Sequence, residues 1–194
     1  MISTTSLAEY ATGSRRRRTE IVAAQLVAGD VQFYRPILDA IRVAVSVGDL
    51  SVLARTVEQA ELTGQPRAFA EIADGFMGWW SKAKAVPIRC GASALRVGDV
   101  DLSVVPHLAV RSSAGDQVIM FHFKEQPLER DAAHAALRIL QICMDDLVPG
   151  GSALMVDVRR GKEHRLARNV NLASVDAWLT ASASAFASHL RAAL

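Results

Sequence analysis

The chain has 194 residues, of which 51% are hydrophobic and 22% charged, a mass of 20.9 kDa and a mean hydropathy of +0.18. Such a chain buries a substantial core as one domain, which excludes disorder as its dominant state. A net charge of +2, from 22 Lys and Arg against 20 Asp and Glu, is too balanced to advertise nucleic-acid binding, so any basic surface must come from local clustering.

Cys90 and Cys143 lie far apart, with no C-x-x-C pair and no Cys/His grouping at zinc-site spacing. A disulfide scaffold or a zinc finger is therefore not expected. Residues 1–13 are mostly polar and lack the apolar core of a secretory signal, and no later stretch supplies the ~18 uninterrupted apolar residues of a membrane span. These features point to a cytoplasmic chain with no membrane partner.

In chain order, residues 1–18 read as a basic, flexible arm carrying Arg15, Arg16, Arg17 and Arg18, and residues 19–86 as a helical region. Ile21, Val22, Leu26 and Val27 keep a helical period from Thr19 onward. Pro36 then suits the first turn of a helix that Gly48 stops, with Ile37, Ile41, Ala44 and Val45 on one face. Asp49 is a plausible N-cap for a third helix bearing Leu50, Leu53, Val57 and Ala60, and Gly64 is placed to end it. Pro66 opens a fourth with Phe69, Ile72, Phe76 and Trp80 in phase, although Gly75 and Gly78 each weaken it by about 1 kcal/mol.

After Pro87 the pattern changes to alternation, in a region, residues 87–194, expected to form an α/β or α+β core packed as one unit with the helices. Leu95 and Val97, the Gly98-Asp99 turn, and Val100, Leu102 and Val104 predict a hairpin. Ser112-Ser113-Ala114-Gly115-Asp116 separates two apolar strands, 104–111 and 117–124. Asp131 is placed to cap a helix with Ala133, Ala136, Leu137, Leu140, Met144 and Leu147 in a stripe, ended by Pro149-Gly150-Gly151. A second hairpin pairs 153–159 with 164–170, and a last helix from Ser174 carries Val175, Trp178, Leu179, Phe186 and Leu190.

Alternation puts Val118, Met120, His122 and Lys124 on one strand face, and Asp101, Ser103, Val105 and His107 on one face of the preceding segment. Register decides whether His107 or Pro106 lies opposite His122. These residues carry a family resemblance. Val104-Val105-Pro106-His107 before the turn and Phe121-His122-Phe123-Lys124 after it resemble the core hairpin of the PD-(D/E)XK nuclease superfamily, the restriction-endonuclease-like fold. The order of elements over residues 50–168 resembles that superfamily's helix, three strands, helix and strand.

The resemblance implies a mixed central sheet flanked by helices. In active members a proline–aspartate pair and the acid of an acid-x-lysine motif hold Mg²⁺, and the lysine positions or activates the attacking water. Here Pro106 and Lys124 match, but His107 and His122 stand at the carboxylate positions. Imidazole suits Zn²⁺, Ni²⁺, Cu²⁺ or Fe²⁺ rather than Mg²⁺. The implied altered site comprises Asp101, His107, His122 and Lys124, with Glu58, Glu61 or Glu71 as further acid donors. Gln141 matches only weakly the glutamine that some members carry after the lysine strand, because Asp145 stands where an aromatic partner is wanted.

Two basic runs offer phosphate contacts: Arg15 to Arg18, and Arg159, Arg160 and Lys162 on the second hairpin. Both are also ordinary solvated charge patterns. Trp79 and Trp80 could stack on bases, whereas the phase of Trp80 favours packing or an interface. No Walker-type loop, G-x-G-x-x-G turn or G-x-S-x-G elbow occurs, which leaves nucleotide hydrolysis, dinucleotide redox chemistry and hydrolase-elbow catalysis without support. Three expectations result: a degenerate nuclease-like protein that binds DNA, RNA or a partner protein without efficient cleavage; an enzyme with an altered divalent-metal site; and a protein-binding or self-associating module, a homo-oligomer in the latter case, which the paired tryptophans and high apolar content invite.

Overall fold

A computed structural model describes residues 1–27 and 33–194. The fold is mixed α/β. Five strands form the central sheet in the order β2 (Val86–Pro87), β5 (Leu108–Ser112), β6 (Gly115–His122), β7 (Ser152–Asp157) and β8 (Lys162–His164). β6 and β7 run parallel, joined through α6 (Arg130–Ile142) and the short α7 (Met144–Leu147), and every other neighbouring pair is antiparallel. The Ser112-to-Asp116 turn forms as the sequence predicts, with Ser112 opposite Gly115 and Gly115 at φ 97°, a conformation glycine adopts without a Cβ clash.

Alternation divides the sheet between two cores. On one face Leu108, Val110, Ile119, Phe121, Leu154 and Val156 pack against α3 (Arg35–Val47), α4 (Ser51–Glu58) and α5 (Gln65–Ala83). On the other, Ala109, Val118, Met120 and Met155 pack against α1 (Thr4–Thr12), α2 (Arg15–Leu26), α6 and α8 (Leu172–Ala192). The helical front is thus split across both faces rather than packed beside the sheet. The α3 stripe of Ile37, Ala40, Ile41, Ala44 and Val45 is the i, i+3, i+4 pattern that buries one helix face.

Several expectations are corrected. The first 18 residues do not form a loose arm: Ile2 lies in β1 (Ile2–Ser3), Ser3 caps α1 by accepting the amide proton of Ser6, and Leu7 and Tyr10 are buried. β1 pairs in parallel with β4 (Val100–Val104), which pairs with β3 (Ser93–Val97). The Gly98-Asp99 hairpin therefore leaves the central sheet and makes a separate one of order β1-β4-β3. Gly64, at φ 79°, begins α5 rather than ending α4. The strand expected over 164–170 shrinks to β8, because only Lys162, Glu163 and His164 pair with β7. The last helix starts two residues early, at Leu172, with the Asn171 side chain accepting from the Ser174 amide at 3.2 Å. Val158–Arg160 forms a 3-10 turn in contact with α5.

Candidate functional site

The start of β5 and the end of β6 lie at the same end of the sheet because the two neighbouring strands are antiparallel. His107, His122 and Lys124 consequently line one cleft of about 540 Å³, closed on its other side by α1, α2 and the start of α3. An adjoining hollow of about 560 Å³ shares Arg17, Tyr34 and Lys124 and adds Arg67 and Arg159.

Register settles the His107 question. Leu108 lies opposite Ile119, and the His107 amide donates to the Ile119 carbonyl at 3.0 Å, so His107 does not oppose His122. Its Nδ1 accepts the Phe121 amide proton at 2.8 Å, and its ring stacks near Phe121 and Phe123 with centroids 5.9 and 5.6 Å away. An accepting Nδ1 fixes the neutral tautomer with the proton on Nε2. Burial, helped by the nearby Arg42 charge, lowers the His107 pKa to about 3. Arg42 in turn donates to the carbonyls of His107 at 2.8 Å and Pro106 at 3.0 Å, pinning this corner to α3.

His122 places Nε2 2.7 Å from the Gln126 carbonyl. A carbonyl only accepts, so Nε2 is the protonated nitrogen. Lys124 is ion-paired with Glu9 of α1, and Arg17 of α2 binds the same Glu9 oxygen at 2.8 Å. Arg17 also reaches Glu20 at 3.1 Å. Burial opposes its charge, but the hydrogen bonds to Glu9 and Glu20 prevail and raise its pKa. Glu9 is the acid that sequence reasoning missed. Its available signal was the pattern Ser3, Leu7, Tyr10 and Ala11, an N-cap followed by a buried stripe.

The other expected acids lie elsewhere. Asp101 sits on β4, opposite Arg96 of β3, which grips it through two hydrogen bonds of 2.8 and 3.1 Å. Those bonds lower its pKa, and the departure of β3–β4 from the central sheet removes it from the cleft wall. Glu71 holds Arg67 at 2.9 Å and Arg159 at 2.5 Å. Glu58 and Glu61 do not line the cleft, and Gln141 accepts from Arg138 at 3.0 Å on the exposed side of α6.

The basic runs are largely spent on the fold. Arg18 donates to the carbonyls of Tyr10 at 2.9 Å and Ala11 at 3.0 Å, tying off the end of α1, and lies 5.1 Å from the Tyr10 ring centroid. Arg16 meets Glu20 on the surface at 3.1 Å, and Arg15 is exposed at the start of α2. Arg159 donates to the Phe123 carbonyl at 2.6 Å, and Arg160 binds Asp157 at 3.1 Å and the Glu125 carbonyl at 2.5 Å. These two arginines fasten the segment that carries Lys124. Lys162 is exposed on β8. Trp79 is buried and donates from Nε1 to Glu163 at 2.9 Å, which withholds its ring from a base, while the half-buried Trp80 stacks on Phe76 at 5.9 Å.

Among the described residues, no group of three His, Cys, Asp or Glu side chains is placed to hold a metal ion, and no helix is long and apolar enough to cross a membrane. No family model, curated protein or solved structure matches the chain.

Proposed function

We propose that this chain is a degenerate member of the PD-(D/E)XK type that binds nucleic acid in the β6 cleft without hydrolysing it. The observation that carries the reading is the convergence of Lys124 and Arg17 on one Glu9 oxygen. Two cations aimed at one oxygen anion form a receptor for a phosphate oxygen, filled here by the chain's own carboxylate. The succession α5, β2, β5, β6, α6, β7, with the β3–β4 hairpin inserted, supports the resemblance to helix, three strands, helix and strand. Tyr34 and Phe123, stacked 5.5 Å apart at the cleft, offer an aromatic surface for an unpaired base. With His107 neutral and accepting from the backbone, the two carboxylates of the cleft wall, Glu9 and Glu20, are each engaged by cations of the chain, an arrangement unlike the free paired carboxylates of a Mg²⁺ centre.

The test is fluorescence anisotropy with labelled single-stranded and duplex oligonucleotides, alongside cleavage assays in Mg²⁺, Mn²⁺, Zn²⁺ and Ni²⁺. Single strands bind with affinity that falls about sevenfold between ~50 and ~200 mM salt, as two phosphate contacts require. Lys124→Ala weakens binding and Glu9→Gln tightens it. Absence of binding at ~50 mM salt overturns the proposal, and so does metal-dependent cleavage lost in Lys124→Ala, which would establish the altered-nuclease reading instead.

A further inference from the structure

We propose a second oxyanion site, one that takes a phosphate group, in a hollow of about 340 Å³ walled by Arg130 and His134 of α6 and by Lys162 and His164 of β8. The two pairs face each other by construction. Arg130 and His134 are four apart on a helix, hence on one side of it, and Lys162 and His164 are two apart on a strand, hence on one face. Glu163, between them, points to the opposite face, where it accepts from Trp79 at 2.9 Å and Arg165 at 3.1 Å.

Asp131, Asp157 and the lining residue Glu163 lie near these cationic groups but are not ion-paired with them. Among the described residues none of the four makes an ion pair, whereas Asp157 is already occupied by the Leu128 amide at 3.1 Å and by Arg160 at 3.1 Å. His164 lines the hollow, and among the described residues its buried Nε2 has no hydrogen-bond partner, a condition that costs free energy. The hollow also lies at the N-terminal end of α6, thirteen residues long, where the helix dipole favours an anion. Asp131, in that first turn, is the acid that works against it.

Titration behaviour agrees with this geometry. Burial first, then Lys162, and further His122 and His134, lower the His164 pKa against the opposing pull of Asp157. Burial and Arg130 lower that of His134 against Asp131. A bound anion relieves the repulsion, so binding and proton uptake by these imidazoles are linked. Leu128 lines both this hollow and the β6 cleft, but the two have separate cations, and this inference does not depend on the proposed function.

Sulfate, whose charge does not change over the useful range, is the first probe. Histidine-resolved NMR titrations are expected to show His134 and His164 shifting on sulfate addition, with sulfate bound about tenfold more tightly near pH 5.5 than near pH 8, because binding is linked to proton uptake. Lys162→Ala, on an exposed side chain, and His164→Gln weaken binding, while Lys124→Ala leaves it unchanged. Inorganic phosphate competes for the site. Perturbation of the same imidazoles by an oligonucleotide identifies a strand phosphate as the source, and its absence identifies a free anion. The inference fails if neither sulfate nor phosphate moves these imidazoles beyond the effect of chloride at equal ionic strength, or if Lys162→Ala leaves the affinity intact.

Discussion

The imidazole of His107 accepts the backbone amide proton of Phe121 at 2.8 Å, across the hairpin that joins β5 to β6. A protonated imidazole has no lone pair to give at Nδ1, so the contact exists only while His107 is neutral. Its pKa, lowered from 6.5 to about 3 chiefly by burial, means that between these values the unfolded chain binds a proton that the folded chain refuses. Stability is then lost as pH falls from about 6.5 toward about 3, by up to about 1.4 kcal/mol per unit. Urea unfolding across this range should show that slope in the wild type. His107→Asn, which keeps an acceptor without a titrating ring, should flatten it.

Arg18 and Arg16 belong to one run of like residues but do different things. Arg18→Ala removes two hydrogen bonds to the last carbonyls of α1 and the contact with Tyr10. Thermal or chemical unfolding should register a loss of about 1–3 kcal/mol. The Arg16 side chain is 91% exposed, and Arg16→Ala should change stability by less than about 0.5 kcal/mol. An equal, negligible effect of both substitutions would mean that the run is a solvated arm after all.

Asp157 is 1% exposed at the end of β7, where it accepts from the Leu128 amide and from Arg160. Asp157→Ala leaves the Leu128 amide without its acceptor, while Arg160, 36% exposed and still bonded to the Glu125 carbonyl, is served by water, a loss of about 1–3 kcal/mol. Denaturant midpoints measure it. A loss below about 1 kcal/mol would show that water replaces the carboxylate freely.

The hairpins and the amphipathic helices were legible because each is specified locally. Alternation of Val118, Met120 and His122 against Ile119 and Phe121 reads directly as two sheet faces, and both faces are used as predicted. The pairing of Ile2 with Leu102 was not legible, since two residues of strand carry no periodicity and their partner lies a hundred positions away. Asp101 was misplaced because residues 101–107 are not one strand: β4 ends at Val104 and β5 begins at Leu108 in another sheet, so Asp101 and His107 share no strand face. Glu9 was hidden for a related reason. It becomes part of the cleft only through the packing of α1 against α6 and α8, and a charged residue on an exposed-looking helix face gives no hint of the lysine it will meet. The arginines of the second hairpin looked like a phosphate-binding patch because sequence shows charge without showing the carbonyls and carboxylates that consume it.

Gly75 and Gly78 show the same limit in α5 and supply the sharpest contrast for measurement. In sequence each appears only as a weak point in a helix. A Cβ on Gly75 would lie 2.0 Å from the Val158 carbonyl oxygen and 2.9 Å from the carbonyl carbon of Arg159, whereas one on Gly78 would meet nothing within 4 Å. The helix and the 3-10 turn approach so closely because Gly75 has no side chain. Gly78→Ala should therefore stabilise the fold by about 0.5–1 kcal/mol through helix propensity alone. Gly75→Ala forces the turn outward and should cost about 1–3 kcal/mol despite the same propensity gain. Arg159 fastens the Phe123 carbonyl from that turn, so its displacement should also loosen the segment carrying Lys124. Paired unfolding curves decide the first point, and hydrogen exchange over residues 121–126 decides the second. Two alanine variants that shift stability in the same direction would refute the close approach.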